Sequence, residues 1–385
     1  MDKKLKVGIT CYPTYGGSGV IATEIGQAMA RRGHRVHFIC ADVPHRLARF
    51  SENVFFHEVE MHDYPLFSTQ HYDLALASKM VEVVKHEGLD LLHVHYAVPH
   101  ATSAYLARQV LGETKLKIIT TLHGTDITLV GQERSYLPIT RFSIMQSDCV
   151  TAPSQFLRGA TYDKLNVPSE VKIEVIPNFV DTVAFSPAEQ DEQLKMKERL
   201  GFTARRPVLV HVSNFRPVKR IEDVVRVFSI VRAQRPCHLL LVGDGPERSK
   251  AEDMVRELGL EPDVCFLGKH DMLPEVLRAS TVFLMPSKNE SFGLAALEAM
   301  SCGVPVVGSR AEGIPEVVRH GETGYLAAVG DVEEMARSVL KLIGDDALYA
   351  KMSKAARELA CREYAQAAVI DRYEELYARV AEVKG

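Results

Sequence analysis

A chain of 385 residues, 46% apolar and 25% charged, is longer than one hydrophobic core usually serves and too apolar for a disordered or fibrous form. Its formal net charge of -4 at pH 7 leaves no positive excess to neutralise a nucleic-acid backbone or an anionic membrane, which argues against both as partners. No signal-peptide core follows Met1 and no apolar run could span a bilayer, so a cytoplasmic chain is expected, its seven scattered cysteines reading as reduced thiols.

From one end to the other, short β-branched runs alternate with amphipathic helical patterns, the mark of βαβ units around parallel sheets. Strands are predicted at Leu5 to Cys11, Arg35 to Ala41, Val54 to Glu60, Leu91 to Tyr96, Lys117 to Leu122 and Asp148 to Pro153. Helical patterns at Gly19 to Arg32, Leu74 to His86, Ala101 to Leu111 and Tyr136 to Gln146 lie among them. After Val171 to Asp181 comes a polar, charged, helix-like stretch, and the alternation restarts at Pro207, which divides the chain into domains over 1–174 and 175–365. The second half has strands at Val208 to Ser213, His238 to Gly243, Val264 to Gly268, Val282 to Pro286 and Val304 to Gly308; beyond Val332 only helices remain. Doubly wound α/β domains bind ligands outside the carboxyl ends of their strands, so function is to be sought in the loops that follow them.

Three such loops stand out. Tyr15-Gly16-Gly17-Ser18-Gly19 precedes a helix; its glycines allow close backbone approach and the helix N-H groups attract negative charge, although the spacing is not Gly-x-Gly-x-x-Gly and also reads as a plain tight turn. In Lys288-Asn289-Glu290-Ser291-Phe292-Gly293-Leu294-Ala295-Ala296-Leu297-Glu298 two carboxylates flank seven residues. Ideal helix geometry would offset the two by roughly 12 Å and about 80°. That exceeds the about 5 to 9.5 Å of glycosidase pairs and suits a grip on separate parts of one long ligand. The N-H groups of Phe292, Gly293 and Leu294 would open the helix to a phosphate; the plainer reading is a solvated loop Glu and a buried helix Glu. Asn214-Phe215-Arg216-Pro217-Val218-Lys219-Arg220 ends a strand with three cations, fit for a leaving diphosphate or simply a solvated basic loop. Lys269 and His270 follow another strand on the same edge.

His93 and His95 share a strand face, which in principle permits a metal, but no third ligand sits at a telling spacing and no Asp-x-Asp occurs in the chain. No metal is therefore expected.

Taken together, Gly16-Gly17, His123, Lys219, Gly243-Asp244-Gly245-Pro246-Glu247, the Glu290 and Glu298 pair and Gly303-Val304-Pro305-Val306 resemble family 4 of the retaining glycosyltransferases, over nearly the whole chain. The resemblance implies a GT-B fold: two Rossmann-like, doubly wound α/β domains facing a cleft, with the last helix, 366–385, crossing back to the first. It implies a UDP-sugar donor, with Glu298 on the ribose, Glu290 on the sugar hydroxyls, Lys219 on the diphosphate and His123 lining the reacting carbon. His123, Lys219 and Glu290 form the implied catalytic set. Gly16, Gly17, Asn214, Arg216, Lys269, His270, Phe292, Gly293 and Leu294 complete the implied donor site. The family usually has Arg where this chain has Asn214, and Arg216 is the substitute at hand.

A narrower resemblance rests on Gly8-Ile9-Thr10-Cys11-Tyr12-Pro13, His95-Tyr96-Ala97-Val98-Pro99-His100, Thr121-Leu122-His123-Gly124-Thr125-Asp126 and the basic loop from Ser213. It is to members that pass N-acetylglucosamine from UDP-N-acetylglucosamine to L-malate and so open bacillithiol synthesis. Malate is small and doubly negative; Ser18, Tyr96, Thr125 and Arg141 are the expected contacts. With no side-chain nucleophile in evidence beyond Glu290, front-face displacement is expected, a donor phosphate oxygen taking the acceptor proton, without cofactor. A homo-oligomer is compatible with the sequence. The competing readings are a family 4 enzyme for another acceptor such as inositol phosphate and a sugar-nucleotide-binding or epimerising protein. A third is an NAD-linked oxidoreductase using Gly16 to Gly19 and Asp42, which leaves Lys219, Glu290 and Glu298 without work.

Overall fold

The structure, a computed structural model, describes residues 4–14, 16–47, 50–61, 71–112, 116–203, 205–270 and 272–382; Tyr15 of the Gly-rich loop lies outside them. The chain forms two compact units, Met1–Asn178 with Ala367–Gly385, and Phe179–Gln366.

In the first unit the strands are β1 (Lys6–Thr10), β2 (Arg35–Cys40), β3 (Val54–Glu58), β4 (Leu91–His95), β5 (Lys117–Thr121), β6 (Cys149–Ala152) and β7 (Ile173–Val175). They make one parallel sheet in the order β3-β2-β1-β4-β5-β6-β7, so the strand order reverses between β1 and β4. Val7, Ile9, Val36, Phe38, Leu91, Leu92, Val94 and Ile118 are buried because helices cover both faces, which is why these strands read as apolar runs rather than alternations. The last helix, Gln366–Glu382, crosses back and buries Val369, Ile370, Tyr373, Leu376, Tyr377 and Val380. Polar ties lock it there: Arg32 reaches Asp371 and Glu374, both at 2.6 Å, and Tyr377 Oη lies 2.6 Å from His93 Nδ1.

The second unit repeats the plan with β8 (Val208–Val212), β9 (His238–Val242), β10 (Val264–Gly268), β11 (Val282–Met285), β12 (Val306–Ser309) and β13 (Gly324–Ala327), parallel in the order β10-β9-β8-β11-β12-β13. Here the reversal falls between β8 and β11, with apolar clusters on both faces of the sheet. No helix among the described residues is long and apolar enough to cross a membrane.

Several elements differ from the sequence reading. The strand expected from Val304 starts at Val306, because Pro305 has no N-H for the ladder; its carbonyl still accepts from Phe283 N at 2.9 Å. Helix Gln155–Leu165, β7 and β13 were not predicted. The helix carries a legible start signal, Ser154 accepting from Leu157 N at 3.1 Å, whereas the two strands are only three and four residues long.

Candidate active site

Most candidate residues follow the carboxyl ends of β1, β4 and β5 in the first unit and of β8 and β11 in the second, around the point where each strand order reverses and neighbouring loops diverge to leave room for a ligand.

In the first unit, the loop after β1 leads into helix Gly17–Arg31, capped by Gly16 in extended conformation with no side-chain cap, so its first N-H groups face outward without intrahelical partners. Gly16 meets nothing within 4 Å, so the protein itself does not require glycine there. Gly19 is different: a Cβ would lie 2.7 Å from Tyr12 O, and packing alone explains it. Tyr96, directly after β4, holds a φ of 90°, a conformation costly for a non-glycine residue, and its hydroxyl donates to Ser18 Oγ at 3.0 Å. Two of the expected acceptor contacts are thereby joined.

Because β4 and β5 pair in register, His95 opposite Thr121, the residues just beyond them also meet. His123 Nε2 lies 2.8 Å from His95 Nδ1, and its ring centroid 5.0 Å from that of Tyr96. Burial pushes the His123 pKa down to about 3, so the ring is neutral at physiological pH. Asp126, which the sequence reading passed over, clamps the two loops: its carboxylate accepts from His123 N at 3.2 Å, Gly124 N at 2.9 Å and Ala97 N at 3.1 Å. Burial raises the Asp126 carboxyl pKa, with the backbone N-H donors opposing it. Thr125 is half-buried within the same turn, while Arg141 is exposed on helix Leu137–Met145, which packs against the Ala97–Ala101 turn.

In the second unit the basic loop is held by Phe215, fully buried with φ 40°, and by Arg220 at φ 52°. Lys219 ends a one-turn helix, Pro217–Lys219, and its Nζ contacts the carboxylate of Glu290. Lys288 N donates to Val218 O at 2.8 Å, tying the loops after β8 and β11 together. Glu290 is held by the loop after β12: its N-H donates to Glu312 Oε2 at 2.7 Å and its carbonyl accepts from Gly313 N at 2.9 Å. Glu312 Oε1 also accepts from Asn289 Nδ2 at 2.7 Å, and Glu312 itself sits at φ 48°. A Cβ on Gly313 would stand 2.1 Å from Ser291 O, so only glycine lets the two loops touch. The Gly243-Asp244-Gly245 turn has the same cause, since a Cβ on Gly243 or Gly245 would meet Ser213 O at 1.8 Å or Asn214 O at 2.0 Å.

Two expectations are corrected. Helix Leu294–Ser301 opens at Leu294 with Gly293 as its cap at φ 99°; Phe292 precedes it, its ring buried against Tyr364. Glu290 therefore lies off the helical path, and the helix-based offset between it and Glu298 does not apply. Glu298 is 5% exposed on that helix. Arg216 is exposed, the side-chain carbonyl oxygen of Asn214 is buried with no hydrogen-bond partner, and Lys269 and His270 are exposed at the end of the edge strand β10, away from Lys219.

His93 has both ring nitrogens engaged, at 2.6 Å with Tyr377 Oη and 2.7 Å with Thr121 Oγ1, which takes it out as a ready metal ligand. Among the described residues His37, His57 and Glu87 form the one group with ligand-type spacing. His37 Nδ1 is already bonded to His57 Nε2 at 3.0 Å, and its buried Nε2 has no partner. A metal on Nδ1 would force the proton onto that Nε2 with no acceptor, whereas ligating histidines normally donate their second N-H. These residues do not fit a metal.

The family profile for Glycosyltransferase Family 4 matches residues 15–184, and that for Glycosyl transferases group 1 matches residues 192–359. N-acetyl-alpha-D-glucosaminyl L-malate synthase of Bacillus anthracis is 46% identical over 374 residues, 97% of each chain. D-inositol 3-phosphate glycosyltransferase of Salinispora arenicola is 28% identical, over 76% of this chain and 65% of its own. Among solved structures, Anabaena HepE in complex with UDP and glucose superposes with a TM-score of 0.83 at 21% identity, over 97% of this chain and 99% of its own. Sucrose-phosphate synthase from Thermosynechococcus elongatus gives 0.82 at 23% identity, over 99% and 100%. These two share the fold, and the sequence relatives set aside the dinucleotide-binding reading of Gly16 to Gly19 and Asp42: the chain belongs to glycosyltransferase family 4.

Proposed function

We propose that this chain transfers N-acetylglucosamine from UDP-N-acetylglucosamine to the hydroxyl of L-malate with retention, giving N-acetyl-α-D-glucosaminyl L-malate and UDP, the first step of bacillithiol synthesis. The observation that carries the reading is near full-length, 46% identity with the Bacillus anthracis synthase. The contact between Lys219 and Glu290 at the carboxyl edge of the second sheet supplies its chemistry.

In this reading UDP-N-acetylglucosamine separates that ion pair. Lys219 turns to the diphosphate, whose negative charge grows as the anomeric C-O bond breaks, and Glu290 accepts hydrogen bonds from the sugar hydroxyls. Glu298 takes the ribose hydroxyls, and the helix start at Gly293 and Leu294 faces a phosphate with the positive end of its dipole. These groups provide the positive potential without a metal or cofactor. Asn214, Arg216, Gly16 and Gly17 complete the proposed donor contacts, and Ser18, Tyr96, Thr125 and Arg141 the malate contacts. The malate oxygen attacks the anomeric carbon from the face the diphosphate leaves, and its proton passes to the departing phosphate oxygen. His123 lines the reacting carbon as a neutral ring.

The test is UDP release from UDP-N-acetylglucosamine against L-malate, other hydroxy acids and inositol phosphate. Release that depends on malate is expected. Release with inositol phosphate and none with malate would replace the acceptor and keep the family; donor turnover with no acceptor in the panel would defeat the assignment.

A further inference from the structure

Within the buried histidine cluster of the first unit, His95 and His123 face each other through one nitrogen each, His95 Nδ1 and His123 Nε2, 2.8 Å apart. His95 is fully buried, and its other nitrogen, Nε2, has no hydrogen-bond partner. Burial holds both rings neutral, so each carries one proton and one lone pair. Only two arrangements are open. If His95 bears its proton on Nε2, a buried N-H is left without an acceptor; if it bears the proton on Nδ1, that N-H donates to His123 Nε2 and only a lone pair goes unmet. Orphaned buried N-H groups are the rarer and costlier defect.

His100, in the same cluster, serves as an internal control. Its Nδ1 faces the carbonyl oxygen of His95, which can only accept, so the proton must be on Nδ1. Its buried, partnerless Nε2 is therefore a bare lone pair. The interior tolerates that state within the same cluster as the atom in question.

We infer that His95 is a positioning residue that fixes His123 in the tautomer with its proton on Nδ1, and thereby bars His123 from acting as the base. Both His123 nitrogens are then spoken for: Nε2 accepts from His95, and Nδ1 carries a hydrogen to donate. The neutral ring then keeps no lone pair for the malate proton, which goes to the leaving phosphate oxygen. This assignment rests on the proposed role of His123, but the tautomer itself does not.

The experiment pairs spectroscopy with two substitutions. In ¹⁵N-histidine-labelled protein, nitrogen shifts of His123 should show Nδ1 protonated and Nε2 bare; Nε2 protonation would overturn the inference even if malate is not the acceptor. His95→Asn keeps an amide N-H near the position of Nδ1, and His95→Leu removes it. For the Leu variant kcat should fall on the order of tenfold to a hundredfold, the scale of losing an orienting partner, with the KM for UDP-N-acetylglucosamine little changed. The Asn variant should recover most of that loss, and both should bind UDP as the wild type does. A Leu variant with wild-type kcat, or an Asn variant no better than a folded Leu variant, would contradict the assignment.

Discussion

The two units share a sheet plan and differ in what they place at its edge. Where the strand order reverses, the first unit gathers neutral rings, His95, Tyr96 and His123, around a buried carboxylate, Asp126. At the equivalent reversal the second unit sets a lysine against a glutamate. Topology thus decides where a ligand can sit, and residue choice decides whether it is met by hydrogen-bond direction or by charge. On the proposed function, the first unit orients a reacting hydroxyl and the second meets a diphosphate that gains charge.

Acid should break the comparison most strongly. His37 and His100 are held to about 4 and His93 and His123 to about 3, with His95 also well below its ordinary value, all chiefly by burial. Among the described residues of the second unit, burial holds His211 to about 4 and lowers His238. A depressed histidine binds fewer protons folded than unfolded, so its stability contribution is complete above about 6.5 and falls as pH drops, at roughly 1 kcal/mol per buried ring per pH unit. The decline ends once the folded values near 3 to 4 are reached. Hydrogen exchange at pH 5 should show β1 to β5 losing protection before β8 to β12; simultaneous loss would mean the histidine interior is not the weak half.

Lys219→Met comes next. It should lower kcat by about 10²- to 10³-fold, the scale of one electrostatic group removed from a developing anion. Glu298→Gln should raise the KM for the UDP-sugar by roughly tenfold and change kcat less, since it replaces charge-assisted hydrogen bonds present in ground and transition states alike. Glu312→Ala should have the smallest effect, a fall of about tenfold or less in kcat/KM, because Glu312 only holds the Glu290 segment through Asn289 Nδ2 and Glu290 N. If Glu312→Ala matched Lys219→Met, the charged edge would depend on loop placement more than on the lysine.

The repeating strands were legible because parallel sheets bury both faces and leave continuous apolar runs such as Leu239 to Val242. Lys219 and Glu290 were legible too, as charged loops after strands. Their mutual contact was not, because it spans 71 residues of sequence and depends on β8 and β11 becoming neighbours. Glu312, His95 and the Asp126 contact with Ala97 work across 22 to 29 residues, and no local spacing announces such a role. The Gly-Asp-Gly turn shows the converse: the motif was visible, but its reason, backbone pressed against Ser213 and Asn214, appears only in three dimensions.

The difference between the two edges is tested most directly by calorimetric titration of UDP, which lacks the sugar and so reads nucleotide binding alone. Lys219→Met and Glu298→Gln should each weaken UDP binding by about tenfold or more, with His123→Ala binding as wild type. Unchanged UDP affinity in both second-unit variants would contradict the placement of the donor on that edge.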